Sequence, residues 1–227
     1  MQYLGFRIGM KLAAMAALAG ALHVGGAVAA PLDTRWDASL AEFDASDKVR
    51  APATGGIVFV GSSSIRLWPD LESHFGKLPV IKRGFGGSRL ADCASHVDRL
   101  VNRYKPRQVI VYAGDNDLAE GRTPAEVLAS FQSFVSGVRE AVPQARISYV
   151  SIKPSPLRAN LLESVREANR LIREYAEANP QLDYVDVFTP MLDDAGTPRA
   201  DLYSADSLHM NDAGYALWQQ LISARIR

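Results

Sequence analysis

Two kinds of apolar pattern alternate along the chain. Short runs rich in β-branched residues stand at Ile57–Val60, Val80–Ile81, Val109–Ala113, Ile147–Ile152 and Tyr184–Phe188. The first four give way to Gly61, Gly84, Gly114 and Lys153-Pro154. Runs of this length, bounded by Gly or Pro, predict buried strands of a parallel sheet. Between them the period lengthens to that of a helix. From Pro124 to Ala141 the apolar positions are Val127, Leu128, Phe131, Phe134, Val135 and Val138, with Thr123 as N-cap. Leu161–Ala178 repeats the pattern with Leu162, Val165, Ala168, Leu171, Ile172 and Tyr175. Asn211 or Asp212 opens a last helix through Tyr215, Leu217, Trp218, Leu221 and Ile222. Strand and helix alternate about five times, which predicts an α/β fold, a three-layer α/β/α sandwich around a five-stranded parallel sheet. Ligands of such sheets bind beyond the carboxyl ends of the strands, so chemistry is expected just after each run.

The first thirty residues differ from the rest. Arg7 and Lys11 are their only charges, and an apolar stretch from Leu12 to Ala30 ends in Ala27-Val28-Ala29, a small-x-small pattern of signal-peptidase sites. His23 and three glycines interrupt it, which favours a cleaved leader over a membrane span, so no stable membrane anchor is expected. The expected organisation is a signal peptide over 1–29, a lead-in segment over 30–55 with a short helix across Ser39–Val49, and the main domain over 56–227. The expected product is exported, periplasmic or secreted, with 198 residues and a net charge of −2.

Composition narrows the function. Of 227 residues, 48% are hydrophobic and 22% charged, which excludes a disordered, collagen-like or coiled-coil chain. Lys and Arg balance Asp and Glu at 25 each, so no global field points to nucleic acid. A single cysteine, Cys93, rules out an intrachain disulfide and leaves no cysteine-based zinc site.

The segments after the strands carry the chemistry. Gly61-Ser62-Ser63-Ser64 reads either as a capping turn or as a serine nucleophile presented on a tight turn; G-x-S-x-G fails because position 65 is Ile. Gly84-Phe85-Gly86-Gly87-Ser88 is no dinucleotide fingerprint, because position 89 is Arg, but glycine there lets a backbone N–H approach an oxyanion. Gly114-Asp115-Asn116-Asp117 suits an Asx turn, or offers the Asn116 carboxamide as a neutral donor. Asp206-Ser207-Leu208-His209 sets an acid three residues before the one histidine in a loop beside a strand–helix junction; His74 and His96 lie in helical patterns that read as solvated faces. No second histidine completes a metal site with it, so neither metal nor cofactor is expected. Lys153 and Arg158, after the fourth run, read as shaping a loop or touching substrate, and Trp68 and Phe85 as core or pocket walls.

Taken in chain order, Phe59-Val60-Gly61-Ser62-Ser63, Gly84-Phe85-Gly86-Gly87, Gly114-Asp115-Asn116-Asp117 and Asp206-Ser207-Leu208-His209 resemble the SGNH hydrolases, or GDSL esterase/lipase family, from about Ile57 to Ile222. The resemblance implies a flavodoxin-like sandwich and a serine esterase without cofactor. It makes Ser63 the nucleophile, Asp206 and His209 its acid and base, and the Ser63 N–H, Gly87 N–H and Asn116 side chain the oxyanion hole. Two positions depart from the family. Ser62 replaces the usual Asp, which leaves Ser62 and Ser64 as rival nucleophiles. Lys82 replaces a common Asn, which leaves Gly86 as the alternative to Gly87. A small exported member implies a short-chain, acetyl ester of a small molecule or carbohydrate as substrate. An acyltransferase on the same scaffold and an inactive binding module are the rival readings.

Overall fold

Five strands, β1 (Ile57–Gly61), β2 (Val80–Gly84), β3 (Gln108–Tyr112), β4 (Arg146–Val150) and β5 (Leu182–Val185), form one parallel sheet in the order β2-β1-β3-β4-β5. The computed structural model describes residues 34–76 and 78–226, with Met1 and Gln2. The expected leader and its Ala27-Val28-Ala29 pattern lie outside the described residues. The chain divides into two units, Met1–Thr34 and Arg35–Arg227, and the five strands given above belong to the second. Among the described residues no helix is long and apolar enough to cross a membrane.

The strands are buried on both faces, as a parallel sheet covered by helices requires. In β1, Val58 and Val60 join one core with Val109, Val111, Ile147 and Tyr149, while Ile57 and Phe59 join the other with Ile110, Tyr112 and Val150. The helices are α1 (Asp37–Val49), α2 (Ser63–Arg66), α3 (Leu71–His74), α4 (Leu90–Ser95), α5 (Val97–Leu100), α6 (Asp115–Ala119), α7 (Pro124–Ala141), α8 (Leu162–Glu177) and α9 (Asp212–Ser223). Helices α1 and α4 to α8 line the first core; α2, α3 and α9 line the second. This is the expected three-layer α/β/α sandwich, and its strand order is the flavodoxin-like one, with the crevice for a ligand where the order reverses between β1 and β3.

Local chemistry explains the element ends. Thr123 caps α7 through a reciprocal box: the Glu126 N–H donates to Thr123 Oγ1 at 3.3 Å and the Thr123 N–H to Glu126 Oε2 at 2.8 Å. Asn211, rather than Asp212, caps α9 by accepting the Gly214 N–H at 3.1 Å. Helix α1 in the lead-in segment starts at Asp37, and its Asp44 and Asp47 pair with Arg99, Arg103 and Arg83 on the main body. The edge strand β2 tolerates Lys82 because its ammonium donates to the Trp68 carbonyl at 2.7 Å.

Three strands end earlier than their apolar runs, β3 by one residue at Tyr112. The fifth run was expected to pair over Tyr184–Phe188, but β5 spans Leu182–Val185. Beyond it the Val187 and Phe188 N–H groups donate to the Ser151 hydroxyl, at 2.9 and 3.0 Å, instead of to a strand. Strand β4 stops at Val150, and the N–H and carbonyl of Ile152 are taken by the buried side chain of Asn169, at 2.8 and 2.9 Å. That amide fixes the direction in which the chain leaves β4 toward Lys153 and Arg158. Asn169→Ala leaves two buried backbone groups without partners and is expected to cost about 2–4 kcal/mol. Urea denaturation measures this; a loss below about 1 kcal/mol would mean that water replaces the amide.

Candidate active site

Ser63 opens α2 directly after β1. Gly61 has φ +145°, and Ser62, in extended conformation, donates its N–H to the Tyr112 carbonyl at 3.0 Å and accepts from the Ile65 and Arg66 N–H groups. The Ser62 and Ser64 side chains are buried, whereas Ser63 is half-buried with its Oγ 3.0 Å from His209 Nε2. Of the three serines, only Ser63 meets a base. With no Asp at 62, the turn is held by backbone bonds and by the Tyr215 hydroxyl, which donates to the Ser64 carbonyl at 3.0 Å, and Ser62 Oγ has no partner among the described residues.

The histidine stands in a loop closed by the Tyr203–Met210 bridge and by the Ser204 N–H donating to the His209 carbonyl at 2.8 Å. Asp206 Oδ1 accepts the N–H groups of Leu208 and His209, at 3.0 and 2.9 Å, and Oδ2 lies 2.6 Å from His209 Nδ1. The Leu208 N–H, the His209 ring and the His209 N–H together hold the Asp206 carboxyl well below the usual carboxylate range. Asp206 is exposed, and both exposure and these bonds favour its ionised form.

Two glycine-bounded segments approach from the other side. Phe85–Ser88 is a turn closed by the Ser88 N–H to the Phe85 carbonyl at 3.3 Å. Gly87 occupies its third position with φ +81°, where a type II turn calls for glycine. A Cβ on Gly86 would lie 2.7 Å from Arg66 Nε, so Gly86 faces that side chain. The N–H groups of Ser63 and Gly87 donate to nothing among the described residues. Asn116, 9% exposed in the first turn of α6, donates from Nδ2 to the Ser88 carbonyl at 3.0 Å. That bond joins the carboxamide to the residue next to Gly87 and leaves its second N–H unused.

Other expectations change. Arg158, read as loop or substrate contact, donates to Asn116 Oδ1 at 3.0 Å and to Asp115 Oδ2 at 3.1 Å. Fully buried Lys153 lies 3.8 Å from the same Asp115 oxygen. Trp68 and Phe85 are both core residues, not pocket walls. His74 is not on a solvated face: it is half-buried and accepts the Trp68 indole N–H at 3.1 Å. Among the described residues no three His, Cys, Asp or Glu side chains gather as a metal site.

The model of the GDSL-like Lipase/Acylhydrolase family matches residues 53–217. The chain belongs to this family. The GDSL-like fold recurs in a GDSL-like lipase from Bacteroides thetaiotaomicron, 21% identical, over 82% of this chain and 96% of that one, with a TM-score of 0.70. A lipase/acylhydrolase from Enterococcus faecalis is 21% identical over 76% and 95% of the two chains, with a TM-score of 0.64. A carbohydrate esterase of family 3 from Talaromyces cellulolyticus is 17% identical over 76% and 96%, with a TM-score of 0.61. No curated protein matches the sequence. As a GDSL-like acylhydrolase, the protein is a carboxylic ester hydrolase.

One acid beside the site is out of its usual range. Burial pushes the Asp117 carboxyl up from 3.8 to about 6, against the Leu90 N–H that both its oxygens accept at 3.2 and 3.0 Å. Between these values the folded chain keeps a proton that the unfolded chain releases. The group therefore favours folding at low pH, and its contribution declines as pH rises to about 6. Asp117→Asn removes this decline. Relative to wild type, the variant should gain up to about 3 kcal/mol between roughly pH 4 and 6 and stay level above. Urea denaturation of both proteins across that window reads the difference; a gap independent of pH would mean that the carboxyl is not raised.

Proposed function

We propose that the protein hydrolyses short-chain, chiefly acetyl, carboxylic esters through an acyl enzyme on Ser63. The observation that carries this reading is the relay from Asp206 Oδ2 through His209 to Ser63 Oγ, at 2.6 and 3.0 Å. His209 Nε2 takes the hydroxyl proton as Oγ attacks the ester carbonyl, and returns it to the leaving alcohol. Asp206 accepts from Nδ1, fixing the tautomer that leaves Nε2 free as a base, and its negative charge stabilises the imidazolium. The N–H groups of Ser63 and Gly87 and the free N–H of Asn116 receive the oxyanion. Water activated by His209 then releases the acid.

The acetyl preference rests on size. Residues 35–226 are taken up by the strands, the helices and their connections, of which the longest, 186–211, carries Asp206 and His209, so little chain is left to cover a long acyl group. A carbohydrate alcohol is the favoured leaving group, in keeping with the carbohydrate esterase among the similar structures. Residues 1–29 direct export, which brings the enzyme to acetylated carbohydrates outside the cytoplasm.

The test is hydrolysis of p-nitrophenyl esters of increasing chain length, with acetate release from an acetylated xylan. Acetate should be the fastest ester. Ser63→Ala should lower kcat by roughly a thousandfold or more, and Asn116→Ala by roughly a hundredfold or more, both remaining folded. A fully active Ser63→Ala refutes the nucleophile, preference for long chains refutes the acetyl reading, and transfer to added glycerol in place of water makes the enzyme an acyltransferase.

A further inference from the structure

We propose that Arg158 is a positioning residue for the oxyanion hole, orienting and polarising the Asn116 carboxamide. The inference rests on the assignment of Asn116 as an oxyanion donor. A carboxamide has two ends of nearly equal size and opposite polarity. Rotated by half a turn, it would present its carbonyl oxygen to the developing negative charge and repel it. The Asn116 side chain has one partner at each end, and each partner accepts only one orientation. Arg158 has donors and no acceptor, so its Nη2, at 3.0 Å, can face only Oδ1. The Ser88 carbonyl has no donor, so at 3.0 Å it can face only Nδ2. The rotated amide would set N–H against guanidinium and C=O against C=O.

The guanidinium is itself held. Its other arm donates to Asp115 Oδ2 at 3.1 Å, and the Arg158 side chain is 21% exposed against 8% for Asp115. One planar fork thus reaches the acid at 115 and the amide at 116, two adjacent residues of one helical turn. A bond from a cation to Oδ1 draws electron density toward that oxygen and makes the opposite N–H a stronger donor. The effect matters most when the acceptor carries negative charge, as the tetrahedral oxyanion does. The backbone supports the same role. Arg158 stands at a kink between two short 3-10 turns in Pro156–Leu161, with φ −113° and ψ 29°, and its N–H lies on the Ser155 carbonyl at 3.1 Å. The preceding residue, Leu157, donates its N–H to the Ser207 carbonyl at 3.0 Å, inside the loop that carries Asp206 and His209. The segment after β4 therefore touches both halves of the site, Asn116 by a side chain and the histidine loop by the backbone.

The experiment is a double-mutant cycle in the full-length protein. It comprises wild type, Arg158→Ala, Asn116→Ala and the double variant, with Arg158→Lys beside them. kcat and KM are measured on p-nitrophenyl acetate, and folding is followed by urea denaturation. Arg158→Ala should lower kcat by roughly 10- to 100-fold, the range of a hydrogen bond to a charged group, with KM changed by less than about twofold. In the Asn116→Ala background the same substitution should change kcat by less than about twofold, since no amide remains to orient. Arg158→Lys should recover only part of the rate, because one ammonium cannot reach both acceptors in the plane of the fork. Should Arg158→Ala fail to fold, Arg158→Lys takes its place in the cycle and must show the same loss of coupling. Losses that multiply in the double variant, a change in KM alone, or an unchanged kcat in Arg158→Ala would each overturn the inference. An Asn116→Ala variant with wild-type kcat would instead remove the oxyanion assignment on which it stands.

Discussion

At the carboxyl end of β1, the backbone of Gly61 approaches β3 so closely that a Cβ there would lie 1.8 Å from the Tyr112 carbonyl oxygen. Its φ of +145° is one that residues with side chains rarely adopt. From this point two backbone bonds fan out. The Ser62 N–H reaches the Tyr112 carbonyl at 3.0 Å, and the Gly61 carbonyl accepts the Phe85 N–H at 2.9 Å. The first ties the serine turn to the strand that leads into Asn116; the second ties it to the loop that carries Gly87. A larger residue at 61 would push β3 away and separate the three parts of the site together. The position of Ser63 is thus a property of the sheet, and the short helix after it inherits its direction.

The ion pairs of the protein differ in what they do. On α8, Arg170 bridges Glu167 and Glu174 on an exposed face, where solvent screening leaves such pairs little weight. The pairs of Asp44 and Asp47 with Arg83, Arg99 and Arg103 fasten α1 to the sheet's edge, where Arg83 is nearly buried. The group of Asp115, Lys153 and Arg158 is different again. Burial disfavours the charged form of Lys153, and Asp115 opposes that effect. Removing charge from water in this way is seldom a source of net stability. What the group offers is geometry: it fixes the first turn of α6 and the segment after β4 relative to each other.

The fold was legible where local signals suffice. Thr123, Pro124 and Glu126 mark the start of α7 to the residue, because the capping box is made within four positions of the chain. The strands were legible as runs but not at their ends. Nothing near Val187 in sequence announces that Ser151 will take the N–H groups of Val187 and Phe188, and nothing near Ile152 announces Asn169. The hydrogen-bonded chain of Asp206, His209 and Ser63 was legible as a set of motifs after strands, since the parallel sheet gathers its carboxyl ends at one edge. Arg158 was not. Its partners, Asp115 and Asn116, lie more than forty positions away, and a charged residue in a Pro-rich loop looks the same whether it holds an amide or faces water. His74 misled for a similar reason, because its acidic neighbours in sequence do not show the Trp68 indole that lies against it.

The sheet's carboxyl edge holds several buried polar groups that an apolar core would not contain. Ser62 Oγ, the Tyr112 hydroxyl and Asp115 Oδ1 are buried without partners among the described residues. Asp117, two residues on from Asp115, is a buried carboxyl whose pKa, raised to about 6, records the cost of its burial. Each such group opposes folding, and a core chosen for stability alone would hold apolar side chains there. The opposite faces of the same strands, packed with Val, Ile and Phe, show that the fold does not need polar groups to close. Beside the buried polar groups stand Ser63, Gly87 and Asn116, where two N–H groups and half an amide stay unpaired among the described residues. Unpaired donors persist only in a surround too rigid to collapse onto them, and the charged group beneath Asn116 supplies that rigidity.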